Sequence, residues 1–120
     1  MATQHDTTRT FVANAEMSQF IRVTLSTNGG VGPAGTANPG IGILQNDTVT
    51  NDTYGAVVRM PGAGSFKIAV TGAVTTGDLL YPAAAGYASA TGTVALGLRA
   101  AESAAGTNAV IEAIPTFAVT

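Results

Sequence analysis

Between Ile41 and Ile114 short β-like runs alternate with glycine-centred turns, and this rhythm constrains the fold more than any other feature of the chain. Ile41 to Leu44 is a short apolar run followed by a polar turn, Gln45 to Thr53. Ala56 to Met60 and Ser65 to Val70 flank Pro61-Gly-Ala-Gly64, which reads as a hairpin with a four-residue loop. Thr71 to Gly77 is a turn, and Asp78 to Tyr81 is a strand closed by Pro82. Ala83 to Gly86 is alanine-rich, but Pro82 and Gly86 leave no room for a helix. Tyr87 to Ala90, Val94 to Ala101 and Asn108 to Ile114 follow, with a turn over Ser103 to Thr107. Leu98 to Ala105 contains helix formers, yet the alternation of Val94, Leu96 and Leu98 points to a strand. With Phe20 to Leu25, whose apolar residues recur at period two, the count is about eight short strands. Their spacing of roughly 8–12 residues predicts an all-β protein, a small antiparallel β-sandwich or a partly open β-barrel. No internal repeat is present.

The first third of the chain is different in kind. Residues 1–18 are polar and Thr-rich with apolar points at Phe11, Val12 and Met17, which reads as an extended N-terminal arm. Residues 19–120 then form one β domain, interrupted by the Gly/Pro-dense loop Asn28 to Gly40. On this reading the loop lies outside the core, so shortening it has little effect on stability. The arm is expected to dock on a partner, with Phe11, Val12 and Met17 as anchors and Arg9 pairing with a partner carboxylate. The alternative is an arm folded back on its own barrel.

Composition narrows the function classes. At 120 residues the chain can build one core. Charged residues make up 10% of it, against about 25% for an average soluble domain. The excess is Ala, Gly and Val rather than a long apolar run, so no membrane span is expected. The first ten residues lack the basic-then-apolar layout of a secretory signal. A surface poor in charge suits a protein that is buried against partners or copies of itself. The five basic residues, Arg9, Arg22, Arg59, Lys67 and Arg99, are scattered in a chain of net charge −2, which argues against nucleic-acid binding. There is no cysteine, so neither disulfides nor thiolate metal sites are available.

Reactive chemistry is nearly absent. His5 is the only histidine, so a His-based triad or a multi-histidine metal site is excluded. Asp47 and Asp52 share a turn whose Asn, Asp and Thr oxygens suit calcium, but they are equally ordinary turn residues. Asp78 is placed to bond its own turn backbone. The glycine clusters at 29–32 and 62–64 lead into no helix and no Lys-Ser/Thr, unlike phosphate loops. Tyr54, Tyr81 and Tyr87 suit either a sugar-binding platform or half-buried strand ends. No catalytic residue, cofactor or metal ligand is expected, and an enzyme is not.

Five pieces follow one another in order: Gly42-Ile-Leu-Gln-Asn-Asp47, Gly72-Ala-Val-Thr-Thr-Gly-Asp-Leu-Leu80, the short hairpin Gly86-Tyr-Ala88, Ala95-Leu-Gly-Leu-Arg-Ala-Ala101 and Ala104-Ala-Gly-Thr-Asn-Ala-Val-Ile-Glu112. Their order and spacing resemble those of the small capsid decoration, or cement, proteins of tailed bacteriophages. The resemblance implies a non-enzymatic protein on the outer surface of the virion, made in the host cytoplasm. It also implies a homotrimer that binds the major capsid protein and bridges its subunits. A carbohydrate- or receptor-binding module of a phage fibre is the alternative.

Overall fold

The computed structural model describes residues 8–49, 52–60, 64–106 and 109–116, with only the backbone at 52–54. Ten strands are present: β1 Thr8–Ala13, β2 Arg22–Leu25, β3 Val31–Pro33, β4 Gly42–Leu44, β5 Asp52–Arg59, β6 Phe66–Val70, β7 Tyr81–Pro82, β8 Ala88–Ser89, β9 Leu98–Ala100 and β10 Ala109–Pro115. The only helical element among the described residues is one 3₁₀ turn, Ala84–Gly86. The all-β expectation holds, and the two strands beyond the expected set are β1 and β3.

The first five strands close a barrel in the order β1-β3-β2-β4-β5. Its last join is made by β1, antiparallel to β5 from Thr8↔Arg59 to Ala13↔Asp52 and parallel to β3 at Ala13↔Val31. Ala13, Val23, Val31, Leu44, Ala56 and Val58 fill the interior and are completely buried, as expected of a barrel too narrow to hold anything but side chains.

The segment expected as an arm is therefore part of this barrel over residues 8–13. The residues after it are also tied down: the Met17 N–H donates to Thr48 O at 3.3 Å and to Thr48 Oγ1 at 3.1 Å. Thr48 Oγ1 donates in turn to Ala15 O at 3.0 Å, and the Gln19 N–H donates to Asp47 Oδ1 at 2.9 Å. Thr, Phe and Val are good strand formers, and the open edges of β3 and β5 supply partners that local sequence does not reveal.

The Gly/Pro-rich loop is likewise partly structural. β3 lies inside it, paired with β2 as Val23↔Pro33, Thr24↔Gly32 and Leu25↔Val31. Val31 and Ala34 are fully buried. Deleting residues 32–37 is expected to destabilise the fold by more than about 3 kcal/mol, because it removes two of the three residues of β3 together with buried Ala34. A urea midpoint within experimental error of wild type would show that β3 contributes nothing.

The expected hairpin across residues 61–64 does not form. β5 already has β1 on one side and β4 on the other, while β6 lies between β8 and β10. Neither strand has a free edge for the other, so the connection passes from the barrel to a second sheet. That sheet has the order β7-β8-β6-β10-β9.

The second sheet curls without closing into a barrel. Residues 77–80 run along the outer edge of β9, with Leu80 N donating to Leu98 O at 3.0 Å and Ala100 N to Asp78 O at 2.9 Å. The chain then continues as β7, which pairs with β8.

Two apolar clusters result, and they interlock. Ile68, Val70, Leu80, Ala88, Ile111 and Ala113 centre the one under the second sheet. Neighbouring residues on a strand face opposite ways, and β4 uses this to serve both cores. Leu44 packs in the barrel and Ile43 packs in the second cluster. Reciprocally, Ala69 of β6 joins the barrel cluster, and its N–H donates to Phe20 O at 2.8 Å.

Candidate functional site

The residues proposed as partner anchors fall at different depths. Arg9 is exposed on β1, with its guanidinium 5.3 Å from the centroid of the Phe11 ring. Phe11 and Val12 are half-buried, and Phe11 packs against the barrel core. Met17 is buried in that same core, so it presents no surface to another molecule. The structure brings Arg9 and Phe11 together and spends Met17 internally.

The other sequence candidates resolve into turn and packing roles. Asp78 Oδ2 accepts the Thr75 N–H at 2.9 Å and closes its own turn. In the Asn/Asp turn, Asn46 bonds across to β5, accepting the Val57 N–H at 3.0 Å and donating to Gly55 O. Among the described residues no three His, Asp or Glu side chains gather closely enough to hold a metal ion. His5 and the side chains of Asp52 and Tyr54 lie outside the described residues. Tyr87 is half-buried against the barrel core, and Tyr81 is half-buried beneath Gly92. Any side chain at Gly92 would meet the Tyr81 side chain at 2.5 Å.

Between the barrel and the second sheet lies a cleft of about 270 Å³. One wall is the chain from Pro39 to Ile43; the opposite wall is Phe66 and Ile68 of β6, Leu96 to Leu98, and Pro115. Arg22 and Arg59 are the charged residues lining it among the described residues. The chain needs a glycine at 42, because a Cβ there would lie 2.5 Å from Arg59 O.

Arg22 is the unusual side chain. It is 2% exposed although it carries a full charge. Nε donates to Tyr87 O at 3.1 Å, and Nη2 donates to Ala83 O at 2.6 Å and Tyr87 O at 2.9 Å. Nη2 also reaches Gly35 O at 3.4 Å, and Nη1 donates to Asn38 O. The cation is thus surrounded by main-chain carbonyls of two separate segments. Burial lowers its pKa to about 10, so it stays charged at neutral pH. Arg59 is held at the cleft by Nη1 donating to Ser65 O at 2.7 Å and by the Phe66 ring, 4.2 Å from the guanidinium carbon. A cation over an aromatic face is favourable by about 0.5–2 kcal/mol.

Elsewhere the surface is plain. The exposed large apolar residues are Leu25, Val49, Val94, Val110 and Ile114. Val110 and Ile114 share the outer face of β10 with Glu112 between them, and Glu112 lies 4.0 Å from Lys67 on β6. Such an exposed pair contributes at most about 1 kcal/mol.

Sequence reasoning missed the cleft and the role of Arg22. The available signal was a cation inside the alternating run Phe20 to Leu25, in a chain with five basic residues.

No protein-family profile and no curated protein sequence matches the chain. Among solved structures it is similar to the N base of the head fiber protein gp8.5 of bacteriophage phi29. The superposition covers 91% of this chain and 92% of that one, with a TM-score of 0.77 and 15% sequence identity. At that identity the likeness establishes a shared fold.

Proposed function

We propose that this protein is a structural component of a bacteriophage head, a decoration protein that sits on the outer face of the assembled capsid and bridges major capsid protein subunits. The observation that carries this reading is the likeness of fold, over nearly the whole of both chains, to the base of a phage head fiber. The ordered motifs over Gly42 to Glu112, similar to those of cement proteins, agree with it.

In this role binding acts by mass action. A protein that binds the assembled shell and not its separated subunits stabilises the shell in proportion to its occupancy. Each bridge needs about 1,500 Å² of buried surface to be specific, and repetition over the shell adds avidity. A homotrimer fits positions where three capsid subunits meet.

The test uses phage heads assembled without this protein. Adding it is expected to give saturable binding, with DNA release shifted to higher temperature and trimers seen by sedimentation. Heads that take up no protein at micromolar concentration would overturn the reading.

A further inference from the structure

We propose that Asn28 is a site of spontaneous covalent modification: its side-chain amide closes on the Gly29 nitrogen to a succinimide, and the native barrel holds this reaction back through Asn14. The proposal stands apart from the capsid reading and rests on one hairpin. Asn28-Gly29 is the one Asn-Gly step in the chain, and it forms the exposed tip of the connection between β2 and β3. Gly29 has a φ of +86° and open space where a Cβ would be, and glycine brings no side chain of its own to crowd its nitrogen.

The reaction consumes nothing but water. The Gly29 main-chain nitrogen loses its proton to solvent and attacks Asn28 Cγ. The N–Cγ bond forms, the Cγ–Nδ2 bond breaks, and Nδ2 takes up a proton and leaves as ammonia. Water then opens the imide ring at either carbonyl. The products are an aspartate at position 28 or an isoaspartate, whose main chain is longer by one carbon.

In the folded protein each polar atom of this reaction is engaged. The Gly29 N–H donates to Ser26 O at 2.9 Å. Asn28 Oδ1 accepts from Gly30 N at 2.8 Å and from Asn14 Nδ2 at 3.3 Å, and Asn28 Nδ2 donates to Asn14 Oδ1 at 3.2 Å. Donors on Oδ1 alone would favour attack, by stabilising the negative charge that develops there. The nucleophile decides the balance, because its proton is shared with Ser26 O and the carbon it must reach is pinned by both amides. Asn14 is itself fixed: its N–H donates to Val31 O at 2.9 Å, beside the Ala13↔Val31 pair that closes the barrel. Reaction therefore waits for the hairpin to open, and local openings cost anything from almost nothing to the full stability of the fold.

Conversion has a structural consequence. An isoaspartate lengthens the turn ahead of Val31, whose register with Leu25 and Ala13 seats β3. Chains that stay unfolded thus lose the means to close the barrel, while folded chains keep it.

Peptide mapping by mass spectrometry, with isoaspartate detected by enzymatic methylation, follows the reaction in mildly alkaline buffer with and without urea. Conversion at Asn28 is expected to be at least about tenfold slower in the folded protein than in urea, equivalent to about 1.4 kcal/mol of local opening. Asn14→Ala is expected to raise the folded-state rate at least about threefold and to leave the rate in urea unchanged. Asn14→Asp, which keeps the acceptor for Nδ2 and loses the donor to Oδ1, is expected to fall between wild type and Asn14→Ala, and it serves where the alanine variant does not fold. Ile111→Val loosens the second core away from this hairpin and is expected to leave both rates as in wild type. Equal rates with and without urea would overturn the protection, and no conversion in urea would overturn the site. Unaltered folded-state rates in the Asn14 variants, or an equal acceleration in Ile111→Val, would overturn the role of Asn14.

Discussion

A chain shortened by residues 2–14 is expected not to fold. The deletion removes β1, which makes the two joins that close the barrel, to β5 over five register pairs and to β3 at Ala13. Fully buried Ala13 and half-buried Phe11 and Val12 leave with it. The remaining β3 and β5 would each present a bare edge, with core side chains behind it open to water. The loss is on the order of the total stability of a small domain, about 5–15 kcal/mol. Circular dichroism is expected to show no cooperative thermal transition for the shortened protein. A wild-type melting profile would mean that β1 is dispensable and the barrel is not closed in solution.

The second large effect is expected at Arg22. Replacing it with Met keeps much of the side chain's length and removes every donor. The carbonyls of Gly35, Asn38, Ala83 and Tyr87 then lose the group that joins them. Each buried carbonyl left without a donor costs about 1–3 kcal/mol, so the urea midpoint should fall sharply. Arg22→Lys should recover only part of this, since a single ammonium cannot present a planar fork to four carbonyls.

The pH dependence separates charge from shape. Burial lowers the folded-state pKa to about 10, below the group's ordinary value in the unfolded chain. Below about pH 9 both states are protonated, so the wild-type stability contribution of this group is flat there. Stability gains from it appear only as pH climbs through 10, because the native state releases its proton first. Arg22→Met lacks that alkaline gain. A mutant with unchanged midpoint at pH 7 would show that the carbonyls are satisfied without the guanidinium.

Much of the fold was legible where local pattern and final environment agree. Apolar alternation marks β2 and β4, and β10 is found at 109–115 where the sequence placed a strand over 108–114. β3 was hidden because Val31-Gly-Pro33 has poor strand propensity and is held by its neighbours rather than by its own residues. β1 was hidden because only one of its six residues is fully buried, so its polar face resembles an unattached tail. The Pro61–Gly64 segment carries turn chemistry, but turn chemistry cannot say whether the next strand returns to the same sheet. For Arg22, strand alternation predicts a solvent face, and the connections at 35–38 and 83–87 cover that face instead. The cleft was invisible for a related reason: its walls come from four stretches that only the completed topology brings together.

The way the barrel closes also dictates a schedule. On the ribosome Thr8 emerges long before Arg59, the residue it will face, and synthesis proceeds at about 5–20 residues per second. For some seconds the first strand has no antiparallel partner, and β3 offers it a single register pair. The shared strand β4 cannot seat Ile43 until β6 and β10 exist. Assembly of this architecture is thus weighted toward the end of translation, with long-range pairings that make folding slow. A nascent chain stalled before residue 66 would expose its unpaired edges to every neighbouring copy, which makes crowded expression a hazard for this architecture.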